Sequence, residues 1–480
     1  MSTRPSWLRS EDWMSLCLGL FIFALSTGAW FGVDLLGWAA KTSVWVELGQ
    51  AVAPVSKGAL GTPASILLTF SFFLGLLTLA GWGLGAKLAR FVPAFVAIYV
   101  VSSLCWLAGH YAYIAATPDK LAGLGIPWSL NLTGEAGYIL ALLAGLVVGN
   151  FFPRGSAALK EATRPELFIK TAIVVMGAGL GVKATEALGL ASAVIFRGLC
   201  AIVEAYLIYW AVVYFVARKF FKFDREWAAP LASGISICGV SAAIATGAAI
   251  RARPIVPIMV SSLVVIFAVV ELIVLPFAAQ TFLYQEPLVA GAWMGLAVKT
   301  DGAAVAAGAI TDALIRARAL SELGVQWREG WILMTTTTVK VFIDVFIGVW
   351  AFVLAIIWCT VIERKPGDKV RLGEIWERFP KFVLGYIGTF VLTLVACIVL
   401  PQLIPDAKAA ANEANVFRQL FFAMTFFTIG VVSNFRKLWE EGIGRLAAVY
   451  VLCLFGFIIW VGLFISWIFF GGVMPPVVTS

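Results

Sequence analysis

Two stretches of this chain carry the residues best suited to chemistry. They read SGISICGVSAAIATGAAI, from Ser233 to Ile250, and GLAVKTDGAAVAAGAI, from Gly295 to Ile310. The first offers hydroxyls at Ser233, Ser236, Ser241 and Thr246 and a thiol at Cys238, with Gly234 and Gly239 allowing close backbone approach. The second sets Lys299, Thr300 and Asp301 in a row ahead of Gly302. Lys299 supplies a cationic contact for an oxyanion. Asp301 either holds that lysine charged or exchanges a proton, because burial and pairing shift such groups strongly. In a bilayer, segments broken by Gly and Ser are tolerated only where they are buried in protein or line a watery cavity, and transporters bind substrate at such breaks. A helix that starts there presents unpaired N–H groups and about half a positive charge, which suits an anion. The expected substrate-binding set is therefore Ser236, Cys238, Gly239, Ser241, Lys299, Thr300 and Asp301. The plainer readings are a structural Lys299–Asp301 pair and small-residue helix packing. Packing accounts for the glycines and alanines better than for the ICGVS cluster.

A second group lies in TTTTVKVFIDVF, where Lys340 and Asp344 are four apart in an otherwise apolar run. On a helix they share a face about one turn apart, and pairing offsets their desolvation. One reading is a buried ion pair that ties helices together. The other is a coupling or gating pair, with Thr335 to Thr338 facing a hydrated path and Thr337 and Thr338 in the coupling or gating set. Arg197, Glu204 and Glu271 are also ionisable within apolar runs. Arg197 and Glu204, seven apart, share a helix face and pair with each other or with Glu271, in a structural or a coupling role. Asp34 is expected near a membrane surface. The single histidine, His110, beside Tyr111 and Tyr113, reads as interfacial.

The elements that must position these residues follow from composition. Of the 480 residues 61% are hydrophobic and 13% charged, with a mean hydropathy of +0.96. A soluble protein would carry roughly a quarter charged residues. Spans need about 20 mostly apolar residues each, and twelve or thirteen candidates run from 14–38 to 446–472, with 229–250 and 288–310 interrupted by the two polar stretches. The expected fold is all-α, a polytopic transmembrane bundle with internal repeats and discontinuous helices.

The net charge of +8 does not point to nucleic acid. The basic residues cluster between spans, at Arg218, Lys219, Lys222 and Arg225 and at Arg364, Lys365, Lys369, Arg371, Arg378 and Lys381, as the positive-inside rule requires. With a cytoplasmic N-terminus both clusters fall inside the cytoplasmic membrane, together with Arg154, Lys160 and Arg164. The opening MSTRPSWLRSEDW has no cleavage pattern and reads as a cytoplasmic tail, not a signal peptide. Arg251 and Arg253, and then Arg316, Arg318 and Arg328, do not fit simple alternation, and either broken segment could be re-entrant. The seven cysteines have neither metal-site nor disulfide spacing and read as packing residues, Cys238 apart.

Residues 1–130 form a leading transmembrane extension, and 131–480 form the core. Within the core, VVMGAGLGVKATEALGLASAVIFRGL from Val174 resembles FFTIGVVSNFRKLWEEGIGRLAAVYVL from Phe426, a weak internal similarity of the kind repeat-built transporters carry.

There is no P-loop, HExxH or GxSxG, so neither an enzyme nor an ATP-driven pump is expected, and no cofactor or metal. The motifs ICGVSAAIATGAAI and KTDGAAVAAGAI, with a lysine-bearing span after them and GNFFP at Gly149 and VVMGAGLGVKATEALG before them, resemble the YeiH-type sulfate exporter family over roughly residues 137–472. That resemblance implies a multi-span inner-membrane protein grouped with the cation/proton antiporter and bile-acid symporter superfamily, exporting sulfate or a related sulfur oxyanion. The family pattern would place His before an acidic residue in the second stretch. Here Lys299, Thr300 and Asp301 stand instead, exchanging a group that titrates near neutrality for one usually cationic and opening sulfonates and other organic anions as substrates.

The resulting expectation is a secondary transporter of a small oxyanion. Its partners would be that anion, a coupling proton or sodium ion, the lipid bilayer and a second copy of the chain. The rivals are a cation/proton antiporter using Asp301 and Asp344, and a membrane sensor or scaffold that binds an anion without moving it.

Overall fold

A computed structural model describes residues 10–56, 60–116, 120–130, 132, 134, 136–198, 201, 203–253, 255–362, 381–432 and 443–477. With single-turn helices left unnumbered, the chain runs α1 (Glu11–Ser26), β1 (Ala40–Thr42), β2 (Val52–Pro54), α2 (Thr62–Gly83), α3 (Leu88–Gly109), α4 (Ala136–Phe151), α5 (Pro153–Leu159) and α6 (Pro165–Gly198). It continues with a π-helical turn (Val203–Tyr209), α7 (Trp210–Lys219), α8 (Arg225–Ser236), α9 (Gly239–Ala249), α10 (Ile255–Phe282), α11 (Pro287–Ala297) and α12 (Asp301–Leu323). The last helices are α13 (Trp331–Val345), α14 (Ile347–Ile357), α15 (Lys381–Val399), α16 (Ile404–Val432), α17 (Ile443–Cys453) and α18 (Ile459–Phe470). The fold is all-α apart from the two-stranded β1–β2 hairpin, in which Ala40 pairs Pro54.

Local signals set the helix ends. Ser10 caps α1 by accepting from Trp13 N, with Glu11 and Asp12 in the first turn. Prolines open α2, α5 and α11. Gly324, at φ 66°, stops α12. Among the described residues seven helices are long and apolar enough to cross a membrane, or eight if the bent pair α4–α5 is one span. This is fewer than twelve or thirteen because several candidate runs are short, interrupted or partly outside the described residues. The basic cluster at 364–378 and residues 433–442 of the second similar run also lie outside them, as do residues 1–9 of the tail.

The chain forms two compact units, one of Met1–Leu188 with Lys381–Phe435 and one of Gly189–Pro380 with Arg436–Ser480. In the first, the leading helices are not a separate body, because α3 packs on both α4 and α16. Helices α4 and α16 meet backbone to backbone. A Cβ on Gly145 would lie 2.0 Å from Phe427 O and one on Gly430 2.5 Å from Leu142 O, the close approach that small residues permit between membrane helices. Arg164 pairs with Glu11 at 2.6 Å and Lys170 with Asp12 at 3.1 Å, tying α1 to the start of α6. His110, at the end of α3, is buried; its Nδ1 lies 2.8 Å from Trp106 O and its ring packs on Trp106.

The second unit is built on two helical hairpins. Glu226, at the start of α8, holds Arg253, just past the end of α9, through its backbone N–H at 2.6 Å and its guanidinium at 3.1 Å. Nearer the tip, Thr246 Oγ1 donates to Ser233 Oγ at 2.7 Å, and Trp210 Nε1 donates to the same oxygen at 2.9 Å. Both pairs keep one antiparallel register, so α8 and α9 fold back on each other around Ile237 and Cys238. The 229–250 run is therefore a helical hairpin and not one continuous helix. Helices α11 and α12 repeat the arrangement. Gly291 O on α11 accepts from Thr336 Oγ1 of α13 at 2.8 Å and Gly308 on α12 abuts the same side chain, and Arg318 on α12 returns to Gln280 O and the Tyr284 ring, beside the start of α11. Its turn is Val298–Thr300. Helix α10 joins the two hairpins. Its 28 residues span about 42 Å at 1.5 Å per residue, so the hairpins enter from opposite ends of α10.

Candidate functional site

The two hairpin tips meet beside the middle of α10. Gly239, with φ +27°, is the residue at the contact, and a Cβ there would lie 2.5 Å from Val264 Cγ1, 3.0 Å from Lys299 O and 3.1 Å from Thr300 Cγ2. Only glycine combines that backbone conformation with that clearance. Of the residues expected to bind substrate, Ser236, Cys238, Gly239 and Ser241 are brought to one tip and Lys299 and Thr300 to the other, all buried. Asp301 opens α12, and its side chain lies outside the described residues.

Each tip presents a helix end and a helix start. The ends belong to α8 and α11, whose last carbonyls carry partial negative charge. Lys340 reaches in from α13 and donates to Ile237 O at 3.0 Å and to Val298 O and Lys299 O at 3.3 Å each. One ammonium, with its three protons, thereby compensates both helix ends at once. The starts belong to α9 and α12. Thr300 caps α12 by accepting from Ala303 N at 3.3 Å. Helix α9 has no such help, since Cys238 at its N-cap makes no side-chain capping bond. Two residues before Cys238, at the end of α8, Ser236 Oγ is buried with no hydrogen-bond partner among the described residues. A buried helix start without a cap calls for water or a ligand.

Lys299 is fully buried. Its ammonium donates to Leu296 O and sits 4.8 Å over the Tyr209 ring. Its backbone N–H donates to Glu271 Oε2 at 2.9 Å, and Tyr450 OH donates to Glu271 Oε1 at 3.1 Å. Glu271 thus anchors the second tip to α10 and α17. Glu204 contacts Tyr209, not Arg197 or Glu271, through a hydrogen bond between Oε1 and the phenol oxygen, and the phenol also donates to Ile458 O at 2.9 Å. The π-helical turn is the reason, because it stacks residues five apart.

The coupling set divides differently from expectation. Asp344 is buried one turn beyond Lys340, and the Tyr206 hydroxyl donates to the carbonyl of Ile343 beside it. Thr335, Thr336 and Thr337 are buried and donate to Trp331 O, Ile332 O and Leu333 O one turn back, and Thr336 Oγ1 also lies 2.8 Å from Gly291 O of α11. Thr338 is half-buried. Three contributors escaped the sequence reading: Tyr209, Tyr450 and Asp312. The phenols inside apolar runs were the available signal for the first two. Asp312 accepts from Gly330 N, Ile332 N and Leu333 N at 3.0–3.4 Å and from Arg316 Nε at 2.8 Å, and so fixes the start of α13, the helix that carries Lys340. Among the described residues no group of His, Cys, Asp and Glu is placed to hold a metal.

Long apolar helices, seven of them long enough to cross a membrane among the described residues, define a polytopic helical membrane protein. Residues 125–449 match the family model described as conserved hypothetical protein 698, and the chain belongs to that family. A UPF0324 membrane protein of Nitrosomonas europaea is 44% identical over 480 residues, covering 98% of this chain and 97% of that protein. An uncharacterized protein of Archaeoglobus fulgidus is 52% identical over 162 residues, 30% of this chain and 87% of that protein. A UPF0324 membrane protein of Rhodopirellula baltica is 30% identical over 400 residues, 81% of this chain and 65% of that protein. The YeiH-type resemblance fits this family. No solved structure matches the chain.

Proposed function

We propose that the protein is a secondary transporter of a small oxyanion in the cytoplasmic membrane, and that the anion sits where the hairpin tips meet. The observation that carries this reading is the uncapped start of α9, together with the buried Ser236 hydroxyl at the end of α8, which has no hydrogen-bond partner among the described residues. Lys340 already meets the negative helix ends, so what remains open there is the positive pole of a helix. Backbone N–H groups and a hydroxyl hold an oxyanion, and Lys299, beside the second tip, lends it positive potential. Paired re-entrant segments with tips at mid-depth are a means of exposing one site to each face in turn. Sulfate, sulfite and sulfonates all present the oxygen face such a site accepts.

The test is uptake of labelled sulfate, sulfite and taurine by proteoliposomes holding the full chain. Saturable uptake of one of them is expected, lost in Lys299→Ala. Ser236→Ala should raise the half-saturating concentration about tenfold, the worth of one hydrogen bond to a charged group. Absence of anion flux in correctly inserted protein, with sodium- or potassium-dependent proton flux in its place, would overturn the reading in favour of cation/proton antiport. Anion binding without any flux would favour a sensor.

A further inference from the structure

Glu204 is fully buried, and its Oε2 has no hydrogen-bond partner among the described residues. Its Oε1 contacts the Tyr209 hydroxyl, which lies 2.9 Å from Ile458 O. A phenol has one proton. Spent on the Ile458 carbonyl, it leaves the contact with Glu204 to be made by a proton on the carboxyl. An oxygen with no partner is tolerable on a neutral acid and costly on a buried anion. The surroundings keep the pair close and dry. Helix α18 approaches through Gly462, where a Cβ would lie 2.8 Å from Tyr209 OH and 3.5 Å from Glu204 Oε1. Lys299, at the second hairpin tip, has its ammonium 4.8 Å over the ring of Tyr209, the residue that Glu204 contacts. Lys299 in turn faces Lys340 from α13, Glu271 from α10 and Cys238 from the first tip.

We propose that Glu204, held by Tyr209, is the proton-binding site of the transport cycle, and that proton and anion load together. The proposal rests on the transport reading above. When Glu204 gives up its proton, the carboxylate formed balances the charge of Lys299 and weakens the positive potential at the tips. When Glu204 takes a proton, that charge is returned to the anion site. Proton and anion therefore favour each other's binding, and linkage makes the effect reciprocal. The step moves one proton on and off a carboxyl and makes no other bond.

The experiment uses three readouts on wild type and Glu204→Gln, whose amide keeps a donor for Tyr209. The first is exchange of labelled against unlabelled anion at equal pH, which needs no coupling. The second is anion accumulation driven by a pH gradient, with proton entry followed by a trapped dye. The third is the infrared C=O stretch of a neutral carboxyl in the purified protein, which needs no transport. Retained exchange in E204Q with loss of both gradient-driven accumulation and proton entry supports the proposal. Undiminished proton-coupled accumulation in E204Q overturns it. If the wild type exchanges no anion, the transport reading fails by itself, and the infrared band decides proton binding: lost in E204Q it supports a proton on Glu204, and unchanged it excludes one. Should E204Q fail to fold, Tyr209→Phe replaces it and is expected to shift the band and lower the accumulation; a band and accumulation both unmoved by Y209F count against the proposal.

Discussion

At the scale of single residues the site is held by a few long side chains that reach backbone. Lys340 is the main one. Two helix ends facing each other inside a bundle would leave buried carbonyls unmet and repelling, and one ammonium resolves both. Lys340→Met keeps most of the apolar stem and removes the charge. It should lower stability by on the order of 3 kcal/mol, since each hydrogen bond to a charged group is worth about 1.5–3 kcal/mol and part of the loss is recovered by local rearrangement. The thermal midpoint of the detergent-purified protein measures this, and an unchanged midpoint would contradict the assigned role. Lys340 and Lys299 were legible in the sequence because an ionisable residue in an apolar run is conspicuous. Their partners were not. Ile237, Val298 and Leu296 act through carbonyl oxygens, which carry no signature of side-chain type. Tyr209 was hidden for another reason: residues five apart on an α-helix point about 140° apart, and nothing in VEAYLIY announces the π-helical turn that brings Glu204 and Tyr209 together.

At the scale of elements, α13 has to be placed before Lys340 can reach the tips. Asp312 does this from α12 by accepting three N–H groups at the α13 start while holding Arg316. It acts as an N-cap supplied by a neighbouring helix, and α13 has no side-chain cap at its own N-cap residue, Gly330. Asp312→Ala should cost about 1–2 kcal/mol, the range for loss of a cap. Hydrogen exchange should quicken at residues 331–334 ahead of the rest of α13, and uniform protection in the variant would rule the cap out. In the sequence Asp312 is only an acidic residue four places before Arg316. Its real partners follow a loop and become neighbours only when α12 and α13 pack. The breaks themselves were legible, because Gly, Ser and Lys interrupt apolar runs at Ser236–Ser241 and Lys299–Gly302. Whether a break bends a span or turns it back depends on contacts such as Glu226 with Arg253, which composition does not encode.

At the scale of the whole molecule, the hairpins change how the charges along the chain are read. If α8 and α9 together crossed the membrane, Arg251 and Arg253 would lie opposite Arg218, Lys219 and Arg225, against the positive-inside tendency. As a hairpin, α8–α9 returns Arg253 to Glu226, beside Arg225, and the five basic residues share one face. The chain ends support the same assignment. Arg445, near the start of α17, donates to Phe221 O, while Gly472 N, just past α18, reaches Glu286 Oε2 at 2.8 Å and Arg328 N reaches Pro476 O at 2.8 Å. Single cysteines at Lys219, Arg253 and Glu322, on a Cys17→Ser background because Cys17 is exposed, test this with a membrane-impermeant thiol reagent. Lys219→Cys and Arg253→Cys should both react in inside-out vesicles and not in intact cells. Glu322→Cys, on the second hairpin's side, should do the reverse. Reaction of positions 219 and 253 from opposite faces would mean that α8–α9 crosses the membrane, and the mid-depth meeting of two re-entrant tips, with the anion site placed there, would have to be given up.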